Sequence, residues 1–267
     1  MSEQEKEDLA RALEGRVEVL TKGPVAIIRM NRPDKLNALD SAQINALSCA
    51  LKMLEEAEDL RVGVLTGAGR AFCAGGDIEN FQSLNPDNAL QFTRRGHELL
   101  RALETGRKPV IAAVEGHCLA GGLELALACD FIISGASAKL GLTEVSLGLI
   151  PGWGGTVRFA KAIPVRLARQ LVLTGRRLAP DRALSLGLVN EVVPEGEALP
   201  RSILLAEEIA GQPASAVQAA KAVMNAVDSG AGLDAALALE ASWAAGLFST
   251  TPVRNRVRAW VEGRLQT

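Results

Sequence analysis

The chain has 267 residues, of which 48% are hydrophobic and 22% charged, and its formal net charge is −2. That is enough apolar material for one α/β domain with an appendage, and it excludes the basic field that nucleic acid or an anionic membrane would require. The acidic opening "MSEQEKEDLARALEG" has no apolar stretch of the signal-peptide kind, no uninterrupted apolar run reaches the about 18 residues that span a bilayer, and Cys49, Cys73, Cys118 and Cys129 show no C-x-x-C spacing, which predicts free thiols in a cytoplasmic protein.

Residues 1–15 read as a polar, partly helical leader. "RVEVL" and "GPVAIIRM" read as two strands around a turn at Thr21–Gly23, and "NRPDKLNALD" as a loop. From Ser41 apolar residues recur at three and four (Ile44, Leu47, Leu51, Leu54), which predicts a helix capped by Ser41 or Asp40. "VGVLTG" is a short buried strand, followed by the glycine-rich loop "GAGRAFCAGGD" and a helix over Asn85–Glu104. "PVIAAV" is a second buried strand, followed by a second glycine corner and the apolar helix that carries Glu124; "FIISG" is a strand. The theme of strand, glycine loop and helix thus occurs twice, at about 62–104 and 110–129, which suggests repeated β-β-α units. After Pro151 helical patterns dominate, broken by the strand-like "LVNEVV". The alanine-rich remainder reads as nearly all helix. We expect a core over 1–198 and a helical region over 199–267, which serves oligomerisation or closes the core.

Missing motifs prune the chemistry. There is no G-x-S-x-G, no G-x-x-x-x-G-K-[ST] and no G-x-G-x-x-G after a strand. His97 and His117 have no clustered ligands, so no metal site is expected. Two glycine corners remain: "AFCAGGDI", with Gly75 and Gly76 before Asp77, and "CLAGGLE", with Gly121 and Gly122 before Glu124. Such corners are tight turns, or they bring one backbone N–H each to a shared oxyanion. Two glutamates complete the set. Glu124 lies in an otherwise apolar run, where a carboxylate needs a partner; it caps nearby N–H groups or works as an acid or base. Glu144, twenty residues on, starts a loop or helix, or shares a dry pocket with Glu124, in which case their proton affinities diverge.

"FCAGGD", "IAAVEGHCLAGGLELALACDFIIS" and "KLGLTEVSLGLIPGWGGT" strongly resemble the enoyl-CoA hydratase/isomerase (crotonase) family. "NRPDKLNAL" resembles its acyl-CoA loop and "ARQLVLTGRRLAPDRALSLGLVNEVVP" its later signature. The resemblance runs in order from about Val25 to Pro194 and is loose in the last seventy residues. It implies an α/β fold, a spiral of β-β-α repeats with a C-terminal helical trimerisation region, and a homo-oligomer, either a trimer or a dimer of trimers. It implies an acyl-CoA thioester substrate, with coenzyme A as part of that substrate and no metal or redox cofactor. Gly76 and Gly121 match the two oxyanion amides, and Glu124 and Glu144 match the hydratase glutamates. Lys35, Leu36, Ala38, Ala74, Asp77 and Ile78 match the CoA groove, and Gly152 and Trp153 are candidates for the substrate site, Trp153 equally as a packing residue. On this match Glu124 has a water and Glu144 as its partners.

The implied reaction is hydration of trans-2-enoyl-CoA to 3-hydroxyacyl-CoA in fatty acid metabolism. The alternatives are another crotonase reaction, such as double-bond isomerisation or decarboxylation, or a non-catalytic acyl-CoA-binding scaffold. Three features depart from the family pattern. Glu79 stands where many members carry a lysine near the CoA phosphates, leaving Arg70, Arg94 or Arg95 to compensate. Gly76 replaces an alanine. The C-terminus "TPVRNRVRAWVEGRLQT" lacks the usual "EG…AF…K" pattern.

Overall fold

The computed structural model describes residue 13, residues 15–82 and residues 85–264. The expected leader lies almost wholly outside the described residues. The chain divides into two compact units, residues 1–207 and residues 208–267.

The first unit begins with an antiparallel hairpin, β1 (Val17–Lys22) and β2 (Val25–Met30), paired from Val17↔Met30 to Lys22↔Val25. Helix α1 (Ser41–Glu56) follows, with Asp40 as its N-cap; the Asp40 carboxylate accepts from the Gln43 amide at 2.7 Å. Its periodic residues Ile44, Leu47, Leu51 and Leu54 are all buried. The expected spiral then appears as strand pairs that alternate between two sheets. β3 (Val62–Gly67), β5 (Val110–Val114) and β7 (Phe131–Gly135) join a six-stranded sheet of order β1-β2-β3-β5-β7-β9, parallel beyond the hairpin and closed by β9 (Glu191–Val193). β4 (Ala71–Cys73), β6 (His117–Leu119) and β8 (Lys139–Gly141) form a second, three-stranded parallel sheet of order β4-β6-β8. The central strands of the large sheet are buried along their length, as strands covered on both faces must be, which is why "VIAAV" is apolar throughout.

Helices leave the small sheet. α2 (Ile78–Phe81) and α3 (Pro86–Thr105) follow β4, and α3 opens on a capping box at Asn85. α4 (Gly121–Leu127) follows β6, and a 3₁₀ turn (Glu144–Leu147) follows β8. α5 (Gly155–Ala162), α6 (Val165–Thr174) and α7 (Pro180–Ser185) lead to β9. The loop before α1 is tied to the small sheet by Asn37, wholly buried, whose amide donates to Ala68 O at 3.0 Å and Ala71 O at 2.7 Å.

Helix α8 (Ala198–Ala210) spans the division between the two units. The second unit continues with α9 (Ala214–Asp228), α10 (Leu233–Phe248) and α11 (Thr251–Val261). Large apolar side chains stand exposed on it: Met224, Leu233, Phe248, Trp260 and Val261 are each about 60–75% accessible, far from the usual state of such residues.

Candidate active site

The carboxyl end of the small sheet brings the two glycine corners together. After β4 the chain turns through Gly75, whose φ of +106° suits glycine alone, and a Cβ there would sit 3.2 Å from the Gly121 nitrogen and 2.8 Å from the Ala120 Cβ. A Cβ placed on Gly121 would in turn lie 3.5 Å from the Gly76 nitrogen. The two corners are therefore in contact.

Both candidate amides are aimed by the carbonyl that precedes them. In a trans peptide the N–H points opposite the C=O of the same plane. The Gly75 carbonyl accepts from Leu39 N at 2.8 Å, so the Gly76 N–H is directed the other way. The Ala120 carbonyl accepts from Leu123 N at 2.9 Å and Glu124 N at 3.1 Å, so the Gly121 N–H points out of the start of α4. Among the described residues neither amide donates a hydrogen bond. Ala120 holds φ +50° and ψ −127°, a conformation costly for a residue with a side chain. Strain of this kind persists where the surroundings over-determine it, and here Ala120 N is also tied to Gly141 O at 2.7 Å.

Glu124, in the first turn of α4, is 2% exposed. Its Oε1 accepts from the amides of Trp153 at 2.8 Å and Gly155 at 2.6 Å. Beyond the expected water and Glu144, this carboxylate thus has two backbone partners: it caps the start of α5, thirty residues along the chain. Gly155 is required there, since a Cβ would approach Glu124 Cγ and Oε1 to 2.9 Å. Arg158 braces the same turn, donating to Trp153 O at 2.7 Å while its guanidinium pairs with Glu104. Burial pushes the Glu124 carboxyl up from its ordinary range; the two amides and the Arg158 charge work against that rise.

Glu144 opens the 3₁₀ turn after β8. Both its carboxylate oxygens are buried without a hydrogen-bond partner. Burial raises its carboxyl to about 7; the backbone of Glu144 works against that rise, the nearby Glu124 charge adds to it, and the backbone of Thr143 also lowers it. A buried, unpartnered carboxyl beside a second carboxylate holds its proton near neutral pH.

Trp153 is a packing residue. It is 4% exposed, its ring lies 5.2 Å from that of Phe92, and it covers Gly96 and Gly121 so closely that a Cβ on either would collide with the indole. It thereby backs the second glycine corner, while Gly152, just before it, is half-buried.

Hydrogen bonds and ion pairs link the residues matched to the CoA groove. Leu36 O accepts from Ala74 N at 3.0 Å, and Ala38 O accepts from Arg32 at 2.8 Å. Arg32 also pairs with Asp77 at 3.1 Å, and Asp77 caps α2. Ile78 is 59% exposed on that helix. Lys35 pairs with Glu79 at 2.6 Å, so the residue that departs from the family pattern ties up the lysine that keeps it. The pair raises the Lys35 ammonium above its ordinary range. Among the described residues no group of three His, Cys, Asp or Glu is placed to hold a metal ion.

An α/β spiral that brings two free amides and two buried glutamates together defines a crotonase-type protein. The enoyl-CoA hydratase/isomerase family model matches residues 21–266. The chain is 36% identical over 244 residues to the short-chain-enoyl-CoA hydratase of Clostridium acetobutylicum, covering 91% of this chain and 93% of that one. It is 35% identical over 241 residues to the crotonyl-CoA hydratase of Syntrophomonas wolfei, covering 90% and 92%. The crystal structure of an enoyl-CoA hydratase from Bacillus anthracis superposes with a TM-score of 0.89 at 35% identity, over 94% of this chain and 98% of that one. This chain belongs to the enoyl-CoA hydratase/isomerase family and has the crotonase fold.

Proposed function

We propose that the protein hydrates trans-2-enoyl-CoA to 3-hydroxyacyl-CoA, with Gly76 and Gly121 as the oxyanion donors and Glu124 and Glu144 as the acid–base pair. The observation that carries the reading is the contrast between the two carboxyls, one held on two amides and one buried alone, beside two amides with nothing to bind. The thioester oxygen sits on the two amides, which stabilise the enolate that forms as C3 is attacked; one such donor is worth about 2.7–4 kcal/mol. Glu124 orients a water and takes its proton as the oxygen bonds to C3. Glu144, protonated near neutral pH, gives its proton to C2 on the same face. Glu124 then returns its proton to Glu144 through the next water, which closes the cycle without a metal or redox group. Lys35, Leu36, Ala38, Ala74, Asp77 and Ile78 line the path of the CoA, and Gly152 and Trp153 border the acyl end.

We further propose that the chain is a homo-oligomer, a trimer or a dimer of trimers, because the exposed apolar side chains of α9 to α11 need cover. Its four cysteines are all free, which suits the cytoplasm. Among the described residues no helix is long and apolar enough to cross a membrane.

The test is loss of the enoyl-thioester absorbance of crotonyl-CoA with formation of 3-hydroxybutyryl-CoA. Glu124→Gln and Glu144→Gln each lower kcat about 10²–10⁴-fold while affinity for the product thioester persists. Full turnover in either variant rules out the assigned pair, and tight acyl-CoA binding without any turnover by the wild type points to a scaffold.

A further inference from the structure

The Gly76 amide is useful only if the peptide plane before it is held, and Gly75 is the residue that sets that plane. Its carbonyl is fixed by Leu39 N at 2.8 Å. Its own N–H is fixed by a side chain: it donates to the Cys73 Sγ at 3.4 Å, a local bond from residue i+2 back to residue i of the kind serine and threonine make in turns. Cys73 is wholly buried at the end of β4. Its Cα partner on the adjacent strand β6 is Cys118, also wholly buried, whose thiol donates to Gly122 O at 3.5 Å. Each glycine corner is thus tied down by one thiol from the small sheet. Gly75 also touches the second corner, so a shift of this one residue disturbs both amides.

We propose that Cys73 is a positioning residue for the oxyanion site, holding the Gly75 amide so that Gly76 N–H and Gly121 N–H converge on one oxygen. The inference rests on the hydratase reading above for its kinetic consequence, though not for its geometry. Burial pushes the Cys73 thiol up to about 12, so the sulfur stays neutral and adds no charge beside the developing oxyanion. Cysteine suits the place because its sulfur accepts the amide while the rest of the side chain packs as a small hydrophobe.

The experiment compares Cys73→Ala and Cys73→Ser in the full chain. Alanine removes the acceptor, whereas serine replaces it with a hydroxyl of similar reach. We expect Cys73→Ala to lower kcat roughly 10- to 100-fold with KM within a few-fold of wild type, the size of effect that a small misplacement of a catalytic donor produces. Cys73→Ser restores kcat to within a few-fold. Hydrogen exchange of the peptide spanning residues 71–78, which needs no turnover, speeds up in Cys73→Ala and returns towards wild type in Cys73→Ser. Equal kcat in wild type and Cys73→Ala overturns the proposal, as does a loss that serine fails to rescue or exchange that the alanine leaves unchanged. A wild type with no enoyl-CoA turnover sinks the hydratase reading instead, and the exchange comparison still decides the role of the thiol.

Discussion

The start of α4 and the 3₁₀ turn after β8 each carry one glutamate of the site, and they treat it in opposite ways. Glu124 stands on a helix whose mount is over-determined. Its Oε1 takes two amides, the turn that supplies them is braced by Arg158, and Gly155 leaves room for the carboxylate and nothing more. Glu144 stands on a short turn, and both its oxygens are buried without a partner. Burial raises the proton affinity of both groups and nearby backbone opposes the rise in both, but for Glu144 the Glu124 charge adds to it and the carboxyl reaches about 7. One fold thereby gives the same side chain two environments, as the proposed acceptor and donor require.

The sharpest way to break this contrast is to disturb the mount. Gly155→Ala places a Cβ 2.9 Å from Glu124 Cγ and Oε1 and equally close to the Cβ of Pro151, whose ring has little freedom to yield. The carboxylate must leave its two amides or drag α5 with it. We expect kcat to fall about 100-fold, on the scale of a displaced catalytic group, while Gly154→Ala is no fair control because Gly154 needs its positive φ of +101°. Steady-state kinetics on crotonyl-CoA, with circular dichroism to confirm the fold, measures it. Wild-type kcat in Gly155→Ala would mean that the amide mount is irrelevant to turnover.

A smaller effect sharpens the contrast from the other side. The Glu124 charge contributes to the raised Glu144 carboxyl, after burial. In Glu124→Gln that contribution is gone, so Glu144 gives up its proton at lower pH than in the wild type. The protonated-carboxyl infrared band that disappears in Glu144→Gln identifies the group and follows its titration. In the wild type it should titrate at about 7, and kcat should fall as pH rises through the same range, because the donor is lost. An unchanged titration in Glu124→Gln would show that the two carboxyls do not sense one another.

How much of this could be read from the chain depended on distance along it. The helix cap at Asp40, the apolar face of α1 and the buried strands "VGVLTG" and "PVIAAV" follow from local pattern, because each is decided within about one turn or one strand. The strands of the small sheet are three residues each, too short to show a period of two: "AFC" and "HCL" fall within glycine-rich corners, and "KLG" shows no pattern that assigns it. The odd carboxylate at Glu124 was visible as a lone charge in an apolar run. Its actual partners were not, because Trp153 and Gly155 offer backbone amides that any residue type would offer; only "PGWGG", with its freedom to turn, hints at them. The acceptor role of Cys73 was hidden for a different reason: in sequence a buried cysteine looks like packing.

The last consequence concerns stability, where the two glutamates should again part. The folded protein keeps the Glu144 proton up to about 7, whereas the unfolded chain releases it near the ordinary glutamate value of 4.5. Between those values the native state binds more protons than the unfolded state, so stability falls as pH rises from about 4.5 to about 7 and stays low above. Glutamine carries no charge to bury, so Glu144→Gln removes this loss. Its Tm should match that of the wild type near pH 4.5 and exceed it at pH 8, by about 2–4 °C for each kcal/mol recovered. Glu124→Gln should gain less at pH 8, although Glu124 is the more deeply buried, because the substitution also weakens two hydrogen bonds that the carboxylate receives. Thermal melts at the two pH values measure both. Equal gains in the two variants would show that the amides of Trp153 and Gly155 do nothing for the charge they cap.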